Sequence, residues 1–257
     1  MTKVKDIIDI IEKAAPPALA QEWDNSGLAV GNVCSEVRRV LVTLDVDMKV
    51  VNEAVEKKCD MIVSHHPLIF SPLSFVTDEN ETGAVVLKAA ENHIAIFSAH
   101  TNLDCTSGGT NDFLCELLGL ENVRICEDIA EGNLVRVGEI PGTKFAELAK
   151  EIALKFGKKY IRCVGDKEKI IKKVGICSGG GGDYISRMVE KCDLYITGDV
   201  KYHGARAAEE SGLCLAVAEH FETEHFAKDI FCKILENSGV QVMPSEANRD
   251  VMFDLFV

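Results

Sequence analysis

The chain has 257 residues, 47% of them hydrophobic and 27% charged, which is the balance of a globular protein with room for one large or two small packed domains. Its net charge of −13 argues against a nucleic-acid partner, because a phosphate-backbone binder needs a basic face. An anionic small substrate stays open where bound metal supplies positive charge locally. The ten cysteines include no C-x-x-C pair, so reduced core thiols are expected rather than disulfides or cysteine-bound zinc.

Near the start, Val4, Ile7, Ile8 and Ile11 recur at helical spacing with Asp6, Asp9 and Glu12 between them. That excludes the unbroken apolar run of a signal peptide. No stretch approaches the ~18 apolar residues of a membrane span. A cytoplasmic protein without a membrane partner is the expectation.

The elements then alternate. Residues 39–45 (RVLVTLD) read as a buried strand, and Asp47 opens a helical segment with Val50, Val51, Ala54 and Val55 on one face. Residues 61–64 form a strand ending at His65, 82–92 a helix, 94–98 a strand leading to His100, and 110–118 a helix. A similar second half follows. Its expected strands are 134–140, 160–164, 173–177, 194–197 and 213–218. Pro141-Gly142-Thr143 should turn the chain into a helix near 144–156, and 179–182 should turn it into a helix over 183–191. Helices over 203–211 and 224–237 and a closing strand over 251–257 complete the reading. The acidic, glycine-containing stretch 128–133 is the candidate boundary. It gives a first domain of residues 1–128 plus 219–257 and a second of 129–218. The expected class is α/β: two similar halves with mixed sheets flanked by helices, and a metal site at the strand C-terminal ends between the halves.

Three polar clusters follow hydrophobic runs: Ser64-His65-His66-Pro67, His100-Thr101-Asn102-Leu103-Asp104, and His220-Phe221-Glu222-Thr223-Glu224-His225. They hold five of the seven histidines, with carboxylates at ligand-like spacing. Imidazole and carboxylate together are the ligand set of zinc, manganese, iron, cobalt and nickel. In open α/β sheets functional groups collect beyond the carboxyl ends of strands, where all three clusters fall. His65 and His66 are adjacent, and adjacent side chains on an extended chain point oppositely, which favours two ions. His220 and Glu224 are four residues apart, so one helical turn puts them on one side, and a carboxylate such as Glu224 can bridge two cations.

Plainer roles compete at each position. A single histidine can simply end a strand; His93 suits a helix C-terminus and His225 an exposed helix face. His100 either ligates or orients ligands by hydrogen bonding. Residues 179–182 lack the G-x-G-x-x-G spacing and are followed by Asp183, so a tight turn is preferred to a phosphate cradle. Thr197-Gly198-Asp199 with Lys201 and His203 either caps a helix through Asp199 or contacts substrate and supports the site. Lys201 and Arg206 fit an anion contact or a solvated helix face equally well. Neither H-E-x-x-H nor a P-loop is present, which disfavours a zincin protease and a P-loop nucleotidase.

With these residues in hand, the chain resembles the GTP cyclohydrolase I type 2 homologue family, also called Nif-three-like, over nearly its whole length. The landmarks are Trp23-Asp24-Asn25-Ser26-Gly27-Leu28, SHHPLIF beginning at Ser64, SAHTNLD beginning at Ser98, TGDVKYH beginning at Thr197, and His220-x-x-x-Glu224. The resemblance implies two divalent metal ions per chain, drawn from Zn, Fe, Mn, Co or Ni. Their ligands would be His65, His66, Asp104, His220 and Glu224, with the glutamate bridging. It also implies α/β sandwiches in a toroidal homohexamer. Phe221 stands where relatives often carry a second histidine, and Glu219 replaces a more usual small residue. A large central insertion found in many relatives has little room here.

The leading expectation is a metal-dependent hydrolase acting on a small nucleotide-like or phosphorylated substrate. His100 and His203 are the candidates for proton transfer, since imidazole titrates near neutrality. The competing expectations use the same ligands without chemistry: a metal carrier, a sensor, or a ring-shaped assembly factor.

Overall fold

The computed structural model describes residues 1–126, 133–252 and 255. Through the first 126 residues the chain forms α1 (Val4–Ala14), β1 (Gly27–Val30), β2 (Arg39–Thr43), α2 (Met48–Glu56), β3 (Met61–Ser64), α3 (Glu81–Glu91), β4 (Ala95–Ser98), α4 (Thr101–Cys105), α5 (Thr110–Leu118) and β5 (Glu121–Ile125). It continues through β6 (Arg136–Lys144), α6 (Phe145–Lys155), β7 (Arg162–Val164), β8 (Ile170–Cys177), α7 (Ile185–Met188), β9 (Leu194–Thr197) and α8 (Tyr202–Ser211). The last elements are β10 (Cys214–Val217), α9 (His220–Glu224), α10 (Ala227–Ile234) and β11 (Gln241–Pro244). No helix among the described residues is long and apolar enough to cross a membrane.

The chain divides into two compact units, Met1–Leu103 with Ala227–Val257, and Asp104–Phe226. In the first unit the sheet order is β1-β4-β3-β2-β11. The four strands from β4 to β11 run parallel, and β1 is antiparallel to β4. β3 and β4 are buried along their whole length, as a sheet covered on both faces requires. Val50, Val51 and Ala54 of α2 and Val85 and Ala89 of α3 close one core over Leu41, Ile62 and Ile96. Asp47 caps α2 by accepting from the Val50 N–H at 2.8 Å. On the amphipathic α1, Val4, Ile7, Ile8 and Ile11 are the buried residues.

In the second unit the order is β5-β6-β8-β9-β10-β7, with β8, β9 and β10 parallel and the outer pairings antiparallel. Its core joins Phe145, Leu148 and Ile152 of α6 to Ile176, Leu194, Ile196 and Ala216. Arg136, almost wholly buried, pairs with Asp112 and donates from Nη2 to the carbonyls of Cys105 and Thr106 at 3.0 and 3.2 Å. A buried guanidinium is tolerable only when its donors are met in this way.

Both sheets are mixed and flanked by helices, as expected. Several boundaries differ for physical reasons. Pro141-Gly142-Thr143 does not end its strand; β6 runs on to Lys144, with a register shift between Glu139 and Thr143 that accommodates the proline's missing N–H. The helix expected over 224–237 shortens to α10, and a separate short helix, α9, precedes it. That expected over 183–191 shortens to a 3-10 turn followed by α7. β1, β5 and β11 lack an alternating apolar pattern, and the sequence did not announce them. The expected strand over 251–257 and the expected boundary at 128–133 fall largely outside the described residues.

β11 is fastened by one carboxylate. Glu53, on α2, accepts from the N–H of Glu246 at 2.9 Å, the Lys57 ammonium at 2.7 Å, the Ser245 hydroxyl at 2.5 Å and the N–H of Ala247 at 3.1 Å. Burial raises its pKa, but these donors outweigh it and bring the group from 4.5 to about 2. A depressed carboxylate stabilises the fold above its unfolded value, and here that contribution is lost as pH falls from 4.5 toward 2. Glu53→Gln is therefore expected to cost on the order of 2–3 kcal/mol near neutral pH. It should also flatten the acid-side loss of stability, read as urea midpoints across that range.

Candidate metal centre

In the first unit, parallel β3 and β4 are in register at Ser64 and Ser98, whose hydroxyls lie 2.9 Å apart. The residues just past that pair therefore emerge at one sheet edge. His65 is fully buried, and its Nδ1 lies 3.1 Å from the Ala99 carbonyl. A carbonyl only accepts, so Nδ1 carries the proton and Nε2 the lone pair, the tautomer a metal ligand requires. His66 places Nδ1 2.7 Å from Asp45 Oδ1, and Asp45 Oδ2 accepts from Asn248 Nδ2 at 3.3 Å. Asn248 Oδ1 in turn accepts from the Leu44 N–H at 3.1 Å.

His100 repeats the arrangement, with Nδ1 2.8 Å from Asp24 Oδ1. Asp24 Oδ2 accepts from the Ser26 hydroxyl at 2.9 Å, the Thr101 N–H at 3.1 Å and the Thr101 hydroxyl at 2.5 Å. Burial works against this carboxylate, but His100 and the two hydroxyls hold its pKa well below the usual range. The rings of His65, His66 and His100 are 5.2 to 5.6 Å apart between centroids. Each offers a nitrogen within 4.8 Å of the others, so this group can hold a metal ion.

In the second unit, β10 ends at Val217 and Glu219 precedes α9 with φ 68° and ψ 153°, a region almost reserved for glycine. Its carboxylate pairs with Lys158 at 2.7 Å, and Lys158 also reaches Glu222 at 2.8 Å. The strained residue delivers His220 and, one turn on, Glu224. His220 Nε2 lies 2.8 Å from Glu224 Oε2, and its Nδ1 2.6 Å from Asp199 Oδ2. Hydrogen bonding to Glu224, opposed by burial and aided by Asp199, raises the His220 pKa to about 9. Asp104 is buried, with Oδ1 3.3 Å from the Ser178 hydroxyl, while Asn111 donates to its carbonyl at 3.2 Å.

The expected ligands thus divide between the units: His65 and His66, just past the end of β3, in the first, and Asp104 on α4 with His220 and Glu224 at the two ends of α9 in the second. One geometric expectation is corrected. His65 and His66 do not diverge, because the chain bends after Ser64 and leaves their rings 5.3 Å apart. His203 sits exposed on the first turn of α8, whereas His100 joins the histidine group. Arg206 pairs with Glu210 at 2.8 Å on the solvated face of α8. Lys201, not Asp199, is the residue preceding that helix, and Asp199 orients His220 instead. Phe221 stacks on His225 with ring planes 9° apart.

The roles of Asp24, Asp45 and Asn248 were missed from sequence. Asp45 was open to inference: Thr43 pairs with Ser64, so two residues further on Asp45 flanks His66. Asn248 lies some 200 positions from Asp45, and no local signal pointed to it.

Comparison with known proteins agrees with the landmarks. Residues 2–250 match the model of the Duf34/NIF3 (NGG1p interacting factor 3) family. A Lactococcus lactis protein named GTP cyclohydrolase 1 type 2 homolog is 34% identical over 258 residues, covering 98% of this chain and 100% of the relative. The structure of reduced HcgD from Methanocaldococcus jannaschii superposes with a TM-score of 0.85 at 34% identity, covering 95% of this chain and 98% of that one. A Bacillus cereus protein related to NIF3 has the same fold, with a TM-score of 0.90 at 24% identity and 99% of each chain covered. The chain belongs to the Duf34/NIF3 family.

Gly179 explains why the turn before α7 tolerates no side chain. Its φ is +55°, and a Cβ there would meet Glu224 Oε1 at 2.0 Å and His220 Nε2 at 3.1 Å. Gly179→Ala is expected to cost at least about 1 kcal/mol from backbone strain alone. It should also push Glu224 away from His220, seen as reduced divalent-metal uptake in equilibrium dialysis beside a lowered melting temperature.

Proposed function

We propose that this chain is a dinuclear, divalent-metal-dependent hydrolase acting on a small nucleotide-like or phosphorylated substrate. By resemblance to the family, His65, His66, Asp104, His220 and Glu224 would hold the two ions, with Glu224 contributing to both. The observation that carries this reading is shared by three histidines: His65, His66 and His100 each engage an oxygen acceptor at Nδ1, which leaves Nε2 for a ligand. His220 is held at Nδ1 by Asp199 and turns Nε2 to Glu224, the carboxylate that would share its ion. The donor set of imidazole and carboxylate suits Zn, Fe, Mn, Co or Ni. The name of the Lactococcus lactis relative, GTP cyclohydrolase 1 type 2 homolog, adds GTP to the candidate substrates.

Bound there, divalent cations supply Lewis acidity and bring the pKa of water toward neutrality. The chain's own residues prepare that chemistry. Asp45 and Asp199 fix the rings of His66 and His220 and raise their basicity as ligands. Glu224, almost wholly buried, offers two oxygens from the last position of α9. His100, pinned at Nδ1 by Asp24, is left to exchange a proton with substrate at Nε2. His203 is the second candidate for that task from the exposed start of α8. The assembly, by resemblance to the family, is a homohexameric ring.

Elemental analysis of protein purified without added metal or chelator tests the centre. About two divalent ions per chain are expected, with at least one lost in Glu224→Ala together with all metal-dependent hydrolysis of nucleotides and phosphoesters. A metal-free wild type that also fails to take up zinc, manganese or iron would sink the proposal. Full metal loading with no turnover across the panel would establish the carrier or assembly reading instead. Chelation followed by light scattering shows whether the ring depends on the metals.

A further inference from the structure

Trp23 is the chain's single tryptophan, and 57% of it is exposed. An exposed indole contributes little to a core, and this one is not on a loose loop. Its neighbour Asp24 is locked by His100, Thr101 and Ser26, and the Asn25 N–H returns to Asp24 Oδ1 at 2.7 Å. Asn25 Nδ2 then donates to the Ile69 carbonyl at 2.6 Å, tying the turn to the segment that carries Phe70. Phe70 is 55% exposed, with its ring centroid 6.0 Å from that of Trp23 and tilted 51°. Trp23 also meets His100 edge-on at 6.0 Å, and His100 is 5.2 Å from His65.

We propose that Trp23, with Phe70 beside it, is a stacking wall for a flat heteroaromatic ring, so that the substrate is a nucleobase-type compound rather than a sugar phosphate or a simple phosphoester. This rests on the reading of the centre given above. A rigid, solvent-facing indole offers a π-face that any base can cover. Its edge contact with His100 places a ring lying on that face one side chain from the histidine group. The fastening of the turn means that little order has to be created when the ring arrives. A surface for a second copy of this chain would have no need of an aromatic pair abutting the histidines.

The lone tryptophan supplies the test. Emission of the wild-type protein, as purified, is titrated with guanosine, with adenosine and with ribose 5-phosphate. Saturable quenching by the nucleosides and none by ribose 5-phosphate is expected. Calorimetry on Trp23→Ala and Phe70→Ala should show nucleoside affinity weakened about tenfold or more for the first and less for the second, with Trp23→Tyr retaining most of it. Metal content by elemental analysis should be unchanged in all three variants, because none of these residues offers a ligand. Nucleoside binding that survives Trp23→Ala, or emission that ignores nucleosides and changes only with protein concentration, overturns the wall; the second result assigns the patch to a copy interface. Loss of quenching with two ions in place refutes the wall and spares the centre. Quenching in a chain that takes up no metal does the reverse.

Discussion

An imidazole ligates through one nitrogen only when the other holds its proton, and a protein fixes that choice by placing an acceptor opposite the second nitrogen. Four histidines of this chain have such an acceptor at Nδ1, from three carboxylates and one carbonyl: Asp45, Asp24, Asp199 and the oxygen of Ala99. His220, whose Nε2 also meets Glu224, has to give up a proton before it can ligate. The acceptors are not scattered. Asp45 follows β2, Ala99 follows β4 and Asp199 follows β9, each one or two residues beyond a strand's carboxyl end. Parallel pairing makes this possible, since adjacent strands in register release their next residues side by side. The sheet edge thus sets tautomer and ring orientation together.

The same constraint explains where the chain departs from comfortable geometry. The second unit must turn His220 toward Asp199 immediately after β10, and it does so through Glu219 at a positive φ. A non-glycine residue there stores about 1–3 kcal/mol of strain. Lys158, bound to Glu219 and Glu222, anchors both ends of the strained turn. Gly179 is the counterpart on the facing loop: its carbonyl accepts from Gly198 and Asp199 at 3.0 and 2.9 Å, which holds the Asp199 backbone where its side chain meets His220. Glu219 and Gly179 thus place one strained residue and one close approach beside His220 and Glu224.

The sequence disclosed the features that depend on local pattern. β3 and β9 were legible to the residue because their runs are apolar throughout and stop at polar groups. The pairing of His220 with Glu224 followed from helical spacing alone. What escaped was non-local. β11 joins the first sheet from the far end of the chain, and its place depends on Glu53 collecting donors from residues 245–247. Asn248 supports Asp45 for the same reason. The divergence expected of His65 and His66 failed because alternation belongs to extended chain, and the strand has already ended at Ser64.

Charge distinguishes what these groups can attract. Asp24 and Asp45 stand behind the histidines of the first unit, and Asp199 and Glu224 flank His220 in the second, where Asp104 is also buried, in a chain of net charge −13. Buried carboxylates at 4% exposure, such as Asp104 and Glu224, call for compensating positive charge, and the raised pKa of His220 is one response to that demand. A phosphate approaching such a surface is opposed until cations occupy it. A neutral aromatic ring is not, because stacking on an indole depends on dispersion and excluded water far more than on net charge. Affinity for a base and affinity for a phosphate should therefore respond differently to salt and to metal.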